Sequence, residues 1–318
     1  MLANLILSVN VVLPLFLEMM LGYFLRRKNL IDGPSNKKMN KLIFSVFMPI
    51  LLFYNIYNTD LSVLAAPTFL IFTMVSVFVS FLVLMLIIPR IIRDNKKCGA
   101  FIQACIRANY ILFGIPMVTL IVGEARAGVA SLMAAVIVPE INVLAVITLE
   151  RFRGGKPKVS EVLLSIVKNP LIIATFLAIP FNLLRNFADI SIPTFAYTVL
   201  QQLSRIATPL SLVVLGADFR LDALKDYWRY IVPILGIKLL IIPAIMLTLA
   251  GAVFGIRGPE FVTVMIYFGA PTAVGSYTMA EIMDSDGTLA GQAVFYSTAA
   301  SIVTLFILIF VTKTLGMF

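Results

Sequence analysis

Long stretches of apolar residues recur along the whole chain, separated by short segments that collect charged residues, glycine and proline. Ten such stretches lie at approximately residues 4–25, 38–57, 66–89, 97–122, 126–149, 160–184, 195–217, 229–254, 260–283 and 289–315. An α-helix needs roughly 20 apolar residues to cross a bilayer, whereas the strands of a membrane barrel alternate in polarity. Because these stretches are continuous, the pattern predicts an all-α integral membrane protein with about ten transmembrane helices.

Composition agrees with a lipid environment and removes most kinds of enzyme. The 318 residues are 60% hydrophobic and 13% charged, against about 25% charged in soluble domains. The chain has no histidine, and Cys98 and Cys105 lie too far apart on one helix for a disulfide. It also has no Gly-x-x-x-x-Gly-Lys-Ser/Thr sequence for nucleotide phosphates. We therefore expect no enzymatic activity, no metal site and no cofactor.

Basic residues are distributed unevenly over the loops between the stretches. The odd-numbered loops contain Arg26, Arg27, Lys28, Lys37, Lys38, Lys41, Arg90, Arg93, Lys96, Lys97, Arg151, Arg153, Lys156, Lys158, Arg220, Lys225 and Arg229. The even-numbered loops contain Arg126, Arg185 and Arg257. The positive-inside rule places the odd loops in the cytoplasm, which makes this a multi-pass protein of the cell membrane with both termini extracytoplasmic. The net charge of +9 then reflects topology and anionic lipid headgroups, and nucleic-acid binding is the weaker alternative.

The fifth loop, residues 151–158, divides the chain into residues 1–155 and 156–318, with five stretches in each part. Since five is odd, the second part enters the membrane in the opposite sense, which predicts two inverted five-helix repeats. Proline positions support the division: Pro49 in stretch 2 matches Pro209 in stretch 7, and Pro116 in stretch 4 matches Pro271 in stretch 9. The alternative is chance, because proline is common in membrane helices.

Proline and glycine also predict breaks in two helices. Pro271 lies near the middle of stretch 9, after Gly269, and removes a backbone donor where the helix would continue. A break inside a membrane is tolerated where it lines a cavity, so Thr272 beside it becomes a candidate substrate-binding residue together with Pro271. The alternative is a kink packed against neighbouring helices.

Stretch 4 has the polar residues Arg107 and Asn109 at its centre, with Gly114 and Pro116 two turns further on as helix-breaking residues. Charged and amide side chains at this depth usually line a cavity or pair with each other. If stretch 4 opens near Asn109, half-helices beginning at Asn109 and Thr272 direct their N-terminal ends to one point at the membrane midplane. Free N–H groups and helix dipoles at that point would bind an anion, most simply a carboxylate.

Three further polar residues are candidates for the same site. Glu140 and Asn142 follow Pro139 in stretch 5, where they either line the site or cap the helix. Tyr277 lies two turns beyond Pro271 and either gates the site or packs. Because Glu18, Lys238 and Glu281 lie nearer helix ends, we expect them to snorkel or pair rather than to bind substrate.

Short motifs in a fixed order resemble those of the auxin efflux carrier family, which includes bacterial malonate and malate permeases and plant PIN-formed carriers. They are Leu21-Gly22-Tyr23-Phe24-Leu25-Arg26-Arg27, Met48-Pro49-Ile50-Leu51-Leu52-Phe53, Arg107-Ala108-Asn109-Tyr110, Gly114-Ile115-Pro116, Asn142-Val143-Leu144, Lys168-Asn169-Pro170-Leu171-Ile172, Pro209 to Gly216 and Ala270-Pro271-Thr272. The resemblance implies a scaffold of stretches 1, 2, 6 and 7 and a transport domain of stretches 3–5 and 8–10. It also implies that helices 4 and 9 cross at Ala108-Asn109 and Pro271-Thr272, although plant members have proline where this chain has Ala108.

Together these observations predict a secondary transporter that carries a small organic acid anion by alternating access. Coupling to H⁺ or Na⁺ stays open: without histidine, proton coupling would need a carboxyl group such as Glu140 that is protonated near neutral pH. A sodium-coupled carrier resembling bile acid symporters is one alternative, since the carbonyls of broken helices also suit sodium. A channel or a membrane receptor is another. The expected partners are the small organic anion substrate and the lipid bilayer. A homodimer is compatible with the sequence, and no nucleic acid is expected as a partner.

Overall fold

The computed structural model describes residues 2–59, 67–126, 128–153, 159–219 and 224–318. These residues are almost entirely helical and, within these ranges, contain no β-strand. The α-helices are α1 Leu2–Arg27, α2 Gly33–Leu42, α3 Met48–Tyr57, α4 Pro67–Ile91, α5 Asn95–Ile106, α6 Ile115–Val122, α7 Gly128–Arg151, α8 Val159–Lys168, α9 Pro170–Ala188, α10 Thr194–Ser204, α11 Ala207–Asp218, α12 Leu224–Gly236, α13 Ile242–Thr248, α14 Gly258–Gly269, α15 Gly275–Ile282 and α16 Gly287–Thr314.

Within the described ranges, seven helical segments are long and apolar enough to cross a membrane. They are Gly33–Tyr57, Thr68–Ile91, Gly128–Arg151, Pro170–Ala188, Thr194–Asp218, Lys225–Val253 and Gly287–Thr314. These correspond to predicted stretches 2, 3, 5, 6, 7, 8 and 10, and the interrupted stretches 4 and 9 are not among them. The all-helical membrane fold is therefore confirmed, while a total of ten spans stays a prediction. Residues 154–158 of the fifth loop and Arg220 of the seventh lie outside the described residues.

Three prolines inside spans are each preceded by a π-helical segment. Ile43–Phe47 comes before Pro49, Tyr110–Gly114 before Pro116, and Ile237–Ile241 before Pro243. Each segment ends two residues before its proline. A proline offers no N–H and its ring clashes with the carbonyl four residues back, so a wider turn relieves both problems without ending the helix. The prediction that Gly114 and Pro116 break the helix was therefore wrong, because the π-helical turn leads directly into α6.

One group of helices, here called the first group, consists of α1 to α3 and α8 to α11. Its closest contact joins α1 to α11, where Gly22 faces the backbone of Val213 and Gly216 faces the backbone of Met19. A Cβ atom at either glycine would collide with a carbonyl oxygen of the other helix. Glycine at these two positions is thus what allows the two backbones to touch.

A second contact in the first group joins α9 to the end of α3. Asn182 on α9 donates from Nδ2 to the carbonyl oxygens of Ile56, Tyr57 and Thr59 at 2.9, 3.2 and 2.7 Å. Arg185 donates to the Tyr57 carbonyl at 3.0 Å. The last carbonyls of a helix have no partner within it, so α9 supplies the donors that the end of α3 lacks.

The second group consists of α4 to α7 and α12 to α16, and it holds the deepest part of the core. From Cys98 to Ile106 every residue of α5 is buried, and so is every residue of α14 from Phe261 to Gly269. Since these residues are buried on every side of both helices, other helices must surround them. These two helices accordingly lie at the centre, where α5 contacts α7 and α16 while α14 contacts α7 and α16.

Candidate functional site

The two central helices are interrupted at positions that face each other. Helix α5 ends at Ile106 and helical structure resumes at Tyr110, while α14 ends at Gly269 and α15 begins at Gly275. Between these ends Ala108 and Thr272 form an isolated antiparallel bridge. The N–H of Asn109 donates to the Pro271 carbonyl at 2.8 Å, and the N–H of Ala273 donates to the Arg107 carbonyl at 3.0 Å. Each interruption therefore supplies the backbone hydrogen bonds that the other would lack in an apolar environment.

The causes of the two interruptions differ. In stretch 9 the break occurs at Pro271, as predicted, although the following helix begins at Gly275 rather than at Thr272. In stretch 4 the break occurs at Arg107 to Asn109 with no proline present. Thr272 stabilises the C-terminal end of α5, because its hydroxyl donates to the Ala104 carbonyl at 2.9 Å. Thr272 is itself held by α16, since its N–H donates to Oγ of Ser297 at 3.0 Å.

Arg107 brings a buried positive charge to this crossing. Its side chain is 6% exposed, and Nη2 donates to Oδ1 of Asn142 at 2.9 Å while Nη1 contacts the sulfur of Met279. None of the ion pairs among the described residues includes Arg107, so the cation has only neutral partners. Gly275 makes room for the guanidinium, since a Cβ there would lie 3.3 Å from Nη2.

A cavity of about 90 Å³ lies between the two groups of helices at this crossing. Arg107, Asn109, Asn142 and Tyr267 line it from the second group. The first group contributes Met48, Leu51, Leu52, Ala207, Thr208 and Ser211. Within the described structure Nδ2 of Asn109 and the hydroxyl of Tyr267 are buried without a hydrogen-bond partner. The cavity thus presents a cation and two unused donor groups.

A wider cleft of about 550 Å³ adjoins the cavity and shares Leu51, Ile111, Leu112 and Thr208 with it. It is lined further by Glu18, Tyr54, Asn55, Pro116 and Arg205, among others. Tyr54 lies towards the C-terminal end of α3 and Pro116 is the second residue of α6, so both lie in the halves of their stretches away from the predicted cytoplasmic loops. The shared lining residues connect the cavity with this cleft.

On the opposite side the two groups are joined by a hydrogen bond. The hydroxyl of Tyr277 on α15 donates to Oδ2 of Asp218, the last residue of α11, at 2.5 Å. Beyond it α15 ends near the start of α5, where Lys96 pairs with Asp284 at 2.5 Å. This side carries the basic loops, and Tyr277 and Asp218 link the two groups there.

Not every predicted site residue reaches the cavity. Arg107, Asn109 and Asn142 line it, whereas Pro271, Thr272, Glu140 and Tyr277 do not. Oε2 of Glu140 is buried and has no hydrogen-bond partner among the described residues, and Glu140 forms no ion pair with Arg107. Gly269 ends α14 and packs closely against Leu305 and Leu308. Direct substrate contact by the four residues outside the cavity stays a prediction.

Sequence reasoning missed several residues that the structure brings to this region. Tyr267 and Ser211 line the cavity, Arg205 lines the adjoining cleft, and Asp218 holds Tyr277. Arg205 carries a detectable signal, because it is a charged residue within the apolar stretch 195–217. Tyr267 and Ser211 carry none, since single hydroxyl side chains are common in membrane helices.

Comparisons with known proteins agree with the membrane fold. Residues 7–309 match the family described as "Membrane transport protein". The chain is 25% identical over 303 residues to an uncharacterized transporter of Methanothermobacter thermautotrophicus, covering 94% of this chain and 96% of that protein. It is 24% identical over 309 residues to an uncharacterized transporter of Methanocaldococcus jannaschii, covering 93% of this chain and 96% of that protein.

Proposed function

Because the chain belongs to the family of membrane transport proteins, we propose that it carries a small organic acid anion across the cell membrane by alternating access. The family match confirms the resemblance inferred from the ordered motifs and identifies a transporter. The class of substrate and the mechanism are the parts that we add.

The observation that carries the proposal is the set of donors around the cavity. Arg107 is buried with no acidic partner among the described residues, and Asn109 and Tyr267, which line the same cavity, each have a buried donor atom without a hydrogen-bond partner there. A buried cation is unfavourable unless an anion or several acceptors compensate it. A carboxylate has two oxygen atoms, which can accept from a guanidinium and from neighbouring donors at once. Its charge and its acceptor atoms therefore complement the residues that line the cavity.

Movement is proposed to occur between the two groups of helices. The cavity lies between them, and its lining from the first group is apolar apart from two hydroxyl residues. Displacement of the second group past the first would carry the crossing of Ala108 and Thr272, with bound anion, from one side to the other.

Two features support inverted repeats: α1 packs on α11 as α9 packs on α3, and α5 contacts α16 as α14 contacts α7. In each of these two comparisons, the second contact joins the spans that the inverted repeat makes equivalent to the spans of the first contact.

We place proton coupling first because of Glu140. The carbonyl oxygens of Ala104, Arg107 and Pro271 accept hydrogen bonds from protein groups, but each carbonyl has a second lone pair that a sodium ion could use, so the backbone does not decide between the two ions. Glu140 in contrast has a buried oxygen without a partner in the described structure, so it can hold a proton. The sodium-coupled carrier stays the second candidate.

The proposal is tested with purified protein in liposomes. A panel of labelled monocarboxylates, dicarboxylates and aromatic acids is offered, with amines of similar size as the matched control. A carrier should show saturable uptake of at least one acid that increases when unlabelled acid is present on the other side. Uptake of amines alone would contradict the anion site, and uptake without saturation or trans-stimulation would indicate a channel.

A further inference from the structure

A second cleft lies between α4 and α12 and shares no lining residue with the cavity at the crossing. It has a volume of about 580 Å³, and its walls include Ile88, Ile92, Phe101, Pro233 and Ile237. Two arginines, Arg93 and Arg229, lie at its polar end together with Asp94. The cleft is thus apolar along its length and basic at one end.

The charges at the basic end are not neutralised by the carboxylates beside them. Asp94 is already engaged, because Oδ2 pairs with Nζ of Lys97 at 3.6 Å and Oδ1 accepts from the Lys97 N–H at 3.3 Å. None of the ion pairs in the described ranges includes Arg93 or Arg229. Both arginine side chains are exposed. They are therefore available to an anionic group outside the protein.

A neighbouring hollow of about 520 Å³ extends this basic end. It is lined by Lys97, Lys225, Asp226, Tyr227, Trp228 and Arg229. Aromatic rings hold the cations in place: Nζ of Lys97 lies 5.6 and 5.5 Å from the ring centres of Tyr227 and Tyr230, and Arg229 lies 4.9 Å from that of Tyr230. Such contacts stabilise a cation over an aromatic face without neutralising its charge.

The location of the cleft identifies the kind of molecule that fits it. Ile88 and Ile91 of its apolar walls belong to the span Thr68–Ile91, Pro233 and Ile237 belong to the span Lys225–Val253, and Phe101 comes from α5. The cleft therefore lies between two predicted membrane spans. Its basic end lies where those spans meet the predicted cytoplasmic surface, and the exposed Trp228 lies there as well. Tryptophan and tyrosine concentrate at headgroup depth, and basic residues beside spans attract anionic lipids.

We infer that this cleft binds one anionic phospholipid, with the phosphate between Arg93 and Arg229 and an acyl chain along Ile91 and Ile237. Arginine suits this role because its planar fork donates two parallel hydrogen bonds to phosphate oxygens. The site belongs to the second group of helices. A lipid bound there would tie the group proposed to move to one leaflet of the bilayer.

The test measures lipid retention by native mass spectrometry of protein taken from mixed phosphatidylcholine and phosphatidylglycerol bilayers. Wild-type protein should retain one phosphatidylglycerol in preference to phosphatidylcholine. The double variant R93Q/R229Q should retain at least roughly tenfold less phosphatidylglycerol than the wild type, since each nearby basic residue contributes to anionic lipid binding. R93K/R229K, which keeps both charges, should recover much of the retention.

The matched control removes two equally exposed basic residues that do not line the cleft, Lys38 and Lys41. K38Q/K41Q should leave retention unchanged. An equal loss in both glutamine variants would show a general surface-charge effect and overturn the site, as would full retention in R93Q/R229Q. Glycerol phosphate without acyl chains is the last arm: if it displaces the lipid at similar concentration, the cleft binds a phosphate group and not a phospholipid.

Discussion

Tyr277 donates a hydrogen bond of 2.5 Å to Asp218, and this bond crosses from the second group of helices to the first on the side of the basic loops. Because the proposed alternating access requires that side to open, we expect the bond to break during transport. We expect Tyr277→Phe to favour the conformation that opens towards the basic loops. The measurement is the labelling rate of a cysteine at Ser211, a cavity residue, by an impermeant thiol reagent applied from that side.

A matched control exists within the second group alone. Tyr227 on α12 donates to Oδ2 of Asp286, beside α16, at 3.1 Å. Tyr227→Phe removes the same kind of hydrogen bond, but this bond lies within the second group and does not link it to the first. It should leave the labelling of Ser211→Cys unchanged, and equal acceleration by both variants would show loosening of the whole protein.

The second prediction concerns the charge of Arg107. Arg107→Gln should weaken substrate binding by about 10-fold to 100-fold, because hydrogen bonds to charged groups contribute about 1.5–3 kcal/mol. Arg107→Lys should bind better than the glutamine variant, since it keeps the charge while losing the planar fork. Arg126→Gln, at an exposed loop position, is the control and should bind as the wild type does. Wild-type affinity in Arg107→Gln would place the anion elsewhere.

The third prediction separates the two polar residues at the crossing. Asn109→Ala and Thr272→Val should both reduce substrate binding. The first should leave thermal stability nearly unchanged, because Nδ2 of Asn109 has no partner in the described structure. The second should lower stability as well, since the Ala104 carbonyl loses its donor in a buried place, at a cost of about 1–3 kcal/mol. Ligand titration and thermal unfolding in detergent distinguish the two effects.

The fourth prediction concerns Glu140. A permanent negative charge near the cavity would repel the substrate, so binding should favour the protonated side chain. Glu140→Gln mimics that neutral form. The variant should keep substrate binding, but its transport should lose most of the dependence on pH and should no longer be coupled to a proton gradient. The alternative of a structural ion pair with Arg107 is not supported, because the two form none. A stable variant whose transport follows pH as the wild type does would exclude Glu140 as the proton carrier.

The fifth prediction concerns topology. Cys98 and Cys105 are both buried, so they can be replaced before single cysteines are introduced. Cysteines at Asn58 and Asp189 should react with an impermeant reagent from outside the cell, and cysteines at Gly154 and Arg153 should not. Asp189 is the better outer position, because the Asn58 side chain is used by Arg185 and Tyr197. The reverse labelling would contradict the proposed orientation and the inverted repeats.

The course of the helices could be read from the sequence because lipid imposes a simple pattern. Apolar length and loop charge indicate each span, and Pro271 indicates the break in stretch 9. The break at Ala108 could not be deduced from local preference, since alanine is the best helix former. It depends on Thr272 and Ser297, which come from distant parts of the chain. The residues raised it only as a condition for the anion site near Asn109, and the motif resemblance implied it.

The polar residues of the site were only partly predictable for a similar reason. Arg107, Asn109 and Asn142 are conspicuous within apolar stretches, and they do line the cavity. Glu140 is equally conspicuous but lies outside the lining, because its neighbours on α7 face the cavity instead. Tyr267 and Asp218 acquire their roles from partners across helix contacts, which a linear pattern does not contain.

The contact between α1 and α11, which Gly22 and Gly216 make possible, gives the protein one stiff internal surface. Where two backbones touch with no side chain between them, no change of rotamer can absorb a displacement, so α1 and α11 can shift only as a unit. The surface at Gly275 is different, because it packs against the flexible thioether of Met48. Deformation during a transport cycle should therefore concentrate at this softer surface, beside Arg107, and leave the glycine contact unchanged.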